Sequence, residues 1–263
     1  MLEVLKEALN RVEKGEIIAL ITIVEAEGST PGEKGAKMAV GKDGLISGTI
    51  GGGIIEAKVI EMAKKAIKSG KKQSLHYDLT KEETELDEGA ICGGELKIFI
   101  DILKPKEEII IFGAGHIAVC LSKLAKITGF KVLIIDERVD FANRERFPEA
   151  EEIITKKAGI SLNQAKITPS TYVVIVTKGH LQDEEALTSV INQNAGYIGM
   201  IGSRTKNNII FQHLREKGIT EEKIKKIYTP IGIDIGAQTP EEIAVSIIAE
   251  IIRVSRGKKD TNK

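Results

Sequence analysis

Apolar residues recur along this chain at two spacings, and the change of spacing marks the elements. Leu2, Leu5, Leu9 and Val12 fall on one helical face, which predicts a helix over residues 2–14, stopped by Gly15. Residues 16–24 are nearly all apolar and predict a buried strand. Glu25 to Gly35 is a loop, with the turn formers Gly28, Ser29, Thr30, Pro31 and Gly32 in succession. Residues 36–40 and 45–49 flank Gly41-Lys42-Asp43-Gly44 and predict a β-hairpin. Gly51, Gly52 and Gly53 then open a helix over 54–68. A short strand is expected at 75–77, capping-box spacing from Thr80 to Glu83, and a strand at 95–102 after Ile91-Cys92-Gly93-Gly94.

Pro105 sits in a charged link, and beyond it the rhythm changes. Apolar runs at 109–112, 132–135, 172–177 and 197–201 alternate with helical patterns. One helix follows Gly113-Ala114-Gly115-His116-Ile117-Ala118, another spans 182–194, and a third follows Gly202-Ser203-Arg204. Thr239-Pro240-Glu241-Glu242 is a helix start, with Thr as N-cap, Pro in the first turn and Glu at the capping-box position. Its buried face is Ala244, Ile247, Ile248, Ile251 and Ile252. Alternating strands and helices predict a mostly parallel sheet. The fold class expected is α/β: a Rossmann-like, doubly wound C-terminal domain over 107–256, a smaller N-terminal α+β domain over 1–103, and a flexible tail at 257–263.

Composition narrows the function classes. Among 263 residues, 38 Lys and Arg balance 38 Asp and Glu, so no basic surface for nucleic acid is expected. Trp is absent and aromatics are 4%, which argues against base stacking. No apolar stretch reaches membrane-spanning length, and the N-terminus reads as a helix start, not a signal peptide. Cys92 and Cys120 are far apart in sequence and in different predicted elements, so a disulfide framework is not expected and a reducing cytoplasm fits.

The candidate chemistry starts at residues 109–136. A strand, a glycine turn, a helix and a second strand closed by Asp136 make the β-α-β layout of a nucleotide-binding half-fold. Gly113 permits the tight turn. Gly115 leaves the backbone open to a phosphate, and the helix N-terminus presents N–H groups to it. His116 is either a neighbour of that ligand or a surface residue. Asp136 stands where a carboxylate accepts ribose hydroxyls, and there it favours a ribose without a 2′-phosphate. Gly51, Gly52 and Gly53, with Ser29 and Thr30, either line an anion pocket beside Lys34 or Lys37, or are two tight turns packed together. Cys92, among glycines, is either a soft metal ligand or a small buried hydrophobe. His180, with Asp183 three residues on, and Ser203 and Arg204 lie at the carboxyl ends of parallel strands. There Arg204 suits a phosphate or carboxylate and Ser203 suits a helix cap.

Several of these stretches resemble the XdhC/CoxI family. The N-terminal matches are Gly28-Ser29-Thr30-Pro31, Gly48 to Glu56 and Cys92-Gly93-Gly94. In the C-terminal half they are 113–118, Asp136-Glu137-Arg138, Lys178-Gly179-His180 with Asp183, Ile198 to Arg204, and Pro230 to Ala244. The resemblance implies an accessory chaperone for molybdenum hydroxylases. Such a protein binds molybdenum cofactor (molybdopterin), supports its sulfuration and delivers it to an apo-enzyme of xanthine dehydrogenase type. A cysteine desulfurase as partner and a homodimer go with that reading, and it moves Cys92 toward a molybdenum-handling role. The chain departs from the family pattern at Gly32, where Arg is frequent, and at Lys178, where His is common. Two other classes stand beside it: an NAD(P)-dependent oxidoreductase, with His180 the candidate proton donor, and a nucleotide-sensing regulator.

Overall fold

The computed structural model describes residues 1–79, 94–161 and 167–257, the side chains of Ile160, Ser161 and Arg204 excepted. The chain divides into two compact units, Met1–Pro105 and Lys106–Lys263.

The first unit is α+β. Its elements are α1 (Leu2–Glu13), β1 (Ile18–Gly28), β2 (Lys37–Gly41), β3 (Gly44–Gly48), α2 (Gly53–Ser69), β4 (Gln73–Asp78) and β5 (Gly94–Leu103). The five strands form an antiparallel sheet in the order β3-β2-β1-β5-β4. Strand alternation sends Ile21, Ile23, Met38, Val40 and Ile98 to one face, where Val59, Ala63 and Ala66 of α2 cover them. Ile18 and Ala39 point the other way, onto Val4 and Ala8 of α1.

β1 runs well past the strand expected at 16–24. It pairs with β5 as far as Gly28 opposite Gly94, across a register shift between Ile23 and Glu25. The extension, Glu25-Ala26-Glu27-Gly28, holds no large apolar residue and is mostly exposed, so its pattern carries little strand signal, and the ladder with β5 supplies the order instead. β4 is likewise longer than the strand expected at 75–77, because it pairs with β5 from Gln73 to Asp78. The capping-box spacing from Thr80 to Glu83 lies outside the described residues.

The second unit contains β6 (Glu108–Phe112), α3 (His116–Ile127), β7 (Lys131–Ile135), β8 (Glu152–Ile154), α4 (Ala158–Ser161), β9 (Thr171–Ile175), α5 (His180–Val190), β10 (Tyr197–Met200), α6 (Arg204–Glu216), α7 (Glu221–Ile224) and α8 (Pro240–Ser255). Its sheet is wholly parallel, in the order β10-β9-β6-β7-β8. Ile109, Ile111, Val132, Ile134 and Val174 face α3 and α8. Ile110, Phe112, Leu133, Val173 and Ile175 face α5 and α6. Both faces are covered, as a doubly wound Rossmann-like sheet requires. The capping box of α8 is present: Thr239 Oγ1 accepts from Glu242 N–H, and the Glu242 carboxylate accepts from Thr239 N–H. The apolar run Ile231–Ile235 forms neither helix nor strand. Among the described residues, no helix is long and apolar enough to cross a membrane.

Candidate functional site

In the second unit the chain leaves β6 toward β7 on one side and returns on the other side of β6 as β9. The crevice at the carboxyl ends of β6 and β9 is therefore the topological switch point, where doubly wound sheets hold ligands. The turns after these two strands touch. Gly113, at φ +104°, lies so close to the turn after β9 that a Cβ on it would stand 2.5 Å from the Val176 carbonyl oxygen and 3.0 Å from Thr177 Cα. Gly113 is thus demanded by the fold. Gly115 is not. It caps α3 at an ordinary φ of −76°, and a Cβ there would meet nothing within 4 Å. The space over Gly115 is open beside the start of a helix with no side-chain cap. His116 is the first residue of α3 and is exposed.

Asp136 follows β7, as expected, but its carboxylate is already engaged. It accepts from Ala114 N–H at 2.8 Å, from Arg138 N–H at 3.0 Å, and from Arg138 Nε and Nη2 at 2.9 and 2.6 Å. The side chain is 7% exposed. Burial alone would raise its pKa. The hydrogen bonds from Arg138 and Ala114 outweigh burial and hold the carboxyl below its ordinary range. The guanidinium in turn lies over the Phe141 ring, 4.1 Å from its centroid.

A cavity of about 170 Å³ lies beside this pair. Gly113, Asp136, Arg138, Lys156, Lys157 and Lys178 line it, with Glu137, Gln182 and Glu185. Sequence reasoning missed Lys156 and Lys157; they precede α4, a single turn too short to carry a period. His180 does not line this cavity. It is exposed at the first position of α5, next to Gly179 as N-cap.

A second polar cluster sits on the same edge of the sheet. Asp183 is wholly buried and accepts from Thr177 N–H at 3.2 Å and from Thr177 Oγ1 at 2.5 Å. The Lys206 ammonium completes its shell. Ser203 caps α6, accepting from Lys206 N–H at 3.3 Å. Asn207, also on α6, donates to the Gly202 carbonyl at 3.2 Å. The turn after β9 and the start of α6 are therefore fixed together by Asp183 and Lys206. Arg204 opens α6.

In the first unit, the loop carrying Ser29 and Thr30 packs against the glycine turn of 51–53. A Cβ on Gly51 would lie 2.3 Å from the Pro31 carbonyl oxygen, and one on Gly32 would lie 2.2 Å from that of Ile50. Any side chain at position 32 therefore has no room in this arrangement. Lys37 bonds Thr22 Oγ1 at 2.9 Å. The turn also has an internal anion. The Glu56 carboxylate accepts from Ile50 and Gly52 N–H, each at 3.0 Å, and from Thr49 Oγ1 at 2.5 Å. Burial opposes ionisation of Glu56, yet these donors hold its pKa below the usual range. Gly52 and Gly53, at φ +77° and +68°, have open space where a Cβ would stand. Gly94 packs against Ser29 and Thr30, its would-be Cβ 2.9 Å from Thr30 Cγ2. Cys92, two residues earlier, lies outside the described residues. Among the described residues, no three His, Cys, Asp or Glu side chains group as a metal site.

Comparison with known proteins agrees with this architecture. Residues 109–251 match the family model described as the XdhC Rossmann domain, and residues 11–78 match that of the XdhC and CoxI family. An uncharacterized Escherichia coli protein, YqeB, is 35% identical over 96% of this chain and 46% of its own length. A probable xanthine dehydrogenase component of Bacillus subtilis is 35% identical over 60% of this chain and 46% of its own. The chain thus spans about half the length of these two relatives. PaoD of Escherichia coli, a molybdenum cofactor insertion chaperone, is 22% identical over 95% of this chain and 87% of its own. A crystal structure of a xanthine dehydrogenase from Bacillus halodurans shares the fold, with TM-score 0.54, 23% identity, and 98% and 97% of the two chains covered.

Proposed function

This chain belongs to the XdhC and CoxI family, and on that premise we propose that it is an accessory chaperone in the maturation of a molybdenum hydroxylase. In this reading it binds molybdenum cofactor in the cytoplasm, supports its sulfuration with a cysteine desulfurase, and hands it to an apo-enzyme of xanthine dehydrogenase type. The observation that carries the reading is the match to a molybdenum cofactor insertion chaperone across 95% of the chain, through both units.

The structure and the sequence supply compatible parts. Gly115 leaves open space over the backbone beside a helix N-terminus, which suits a phosphate. Cys92 offers a soft thiolate for molybdenum or for the sulfur passed to it. Asp183 and Lys206 fix the edge of the crevice, and Glu56 fixes the glycine turn of the first unit. A nicotinamide nucleotide is the second occupant to consider for the crevice, because the cavity opens beside Asp136 at the end of β7.

Apo-hydroxylase incubated anaerobically with molybdenum cofactor and a sulfur source tests the role. Activation should rise when this chain is added and fall with Cys92→Ala. Activation unaffected by the chain would overturn the role. Oxidation of NADPH by the chain alone, with no gain in client activity, would favour the oxidoreductase class.

A further inference from the structure

We propose that the crevice beside β7 is a subsite for a phosphate carried on a ribose, so that its ligand is a nucleotide phosphorylated at the 2′ position as well as at the 5′ end. The inference rests on the crevice being a ligand site, as proposed above, and goes beyond it in naming the ligand class. It reverses the preference that an acid at a strand end normally signals.

The first observation is the state of Asp136. A strand-end carboxylate selects an unmodified ribose because its free oxygens accept the hydroxyls and repel a phosphate. Here one oxygen takes Ala114 N–H and Arg138 Nη2, and the other takes Arg138 N–H and Nε. The carboxylate is turned inward and its charge is matched by the guanidinium.

The second observation is what that pairing does to Arg138. Its Nε–Nη2 edge grips Asp136 and its face rests on Phe141, while Nη1 stands outside the pair. The side chain is held in one place by two contacts and still lines the cavity. A guanidinium fixed in this way is ready for an oxyanion without the entropy loss a free Arg would suffer.

The third is the company it keeps. Lys156, Lys157 and Lys178 line the same cavity. Glu137 accepts from Gln182 Nε2 and Glu185 from Gly159 N–H, each at 3.3 Å, and both keep their charge, so among the described lining residues four cations face three carboxylates. Gly113, in the same wall, connects this end of the cavity to the glycine turn that would seat the 5′ phosphate. Arg138 and the lysines line the cavity, and the adjoining glycine turn has open space over Gly115, so a ligand with two separated phosphates would use both.

Calorimetric titration of the full chain with 5′-AMP, adenosine 2′,5′-bisphosphate, NAD and NADP reads this out. The bisphosphate should bind at least about tenfold more tightly than 5′-AMP, and NADP than NAD, as charge-assisted bonds of this kind imply. Arg138→Gln should erase that ratio while 5′-AMP binding persists. Because loss of Arg138 unpairs Asp136, the paired change Lys156→Gln/Lys157→Gln provides an independent reduction of the same ratio without touching that pair. Equal binding of the mono- and bisphosphate by the wild-type chain overturns the subsite and leaves the glycine turn as a phosphate seat. Binding of no nucleotide overturns the subsite too. The chaperone role is read separately, by activation of the apo-hydroxylase.

Discussion

Gly113 and Val176 approach so closely that a Cβ on the glycine would stand 2.5 Å from the valine carbonyl oxygen, whereas Gly115, in the same turn, faces open space. The fold requires the first glycine and has no use for the second. Gly113→Ala should therefore cost about 2 kcal/mol or more, since it adds a clash to a φ of +104°. Gly115→Ala should stay within about 0.5 kcal/mol of wild type. Thermal unfolding of the two variants checks the contrast, and Gly115→Val should abolish binding of a phosphate-bearing ligand while leaving the melting temperature close to wild type.

Asp136 makes acid stability predictable in sign. Its folded pKa lies below the ordinary value, because hydrogen bonds from Arg138 and Ala114 outweigh burial. The stabilisation is therefore complete above about pH 4, the unfolded value, and is lost as pH falls through the folded one. Asp136→Asn should flatten the acid limb of the stability curve below that pH. An unchanged limb in denaturant titrations from about pH 5 to about pH 2 would contradict the pairing.

Asp183 is buried and binds Thr177 as well as the Lys206 ammonium. Asp183→Ala should cost about 3 kcal/mol or more, because it leaves a partly buried cation without its carboxylate. Adding Lys206→Met should restore part of that loss. Urea unfolding of the single and double variants measures the coupling.

In the first unit, Glu56 serves as the anion of its own glycine turn. Glu56→Ala should destabilise by about 1 kcal/mol, the value of a few part-exposed bonds to one carboxylate. Chemical unfolding of the full chain measures it.

How much of this was legible in the sequence follows from how local each signal is. The parallel sheet was legible because its strands are continuous apolar runs separated by helical periods. The different roles of Gly113 and Gly115 followed from their places in the motif, but the contact that makes Gly113 obligatory comes from Val176, brought over from beyond the neighbouring strand. Asp136 read as a ribose acceptor because a strand-end acid usually is one. Its occupation by Arg138 depends on a side-chain fork that no spacing rule encodes. The far end of β1, Glu25 to Gly28, has no large apolar residue and is ordered by β5 across the sheet. β8 is three residues long and α4 four, too short for any period to show. Glu56 stood inside a recognised motif, but its capping of the turn appeared only with the geometry.

The most direct test of the chaperone role is retention of the cofactor itself. Purified chain is incubated anaerobically with molybdenum cofactor, passed through gel filtration, and assayed for bound molybdenum. Wild type should carry it near one per chain, Cys120→Ala should match wild type, and Cys92→Ala and Cys92→Ser should both carry much less. No molybdenum on the wild-type chain, or equal amounts on all four proteins, would contradict the account.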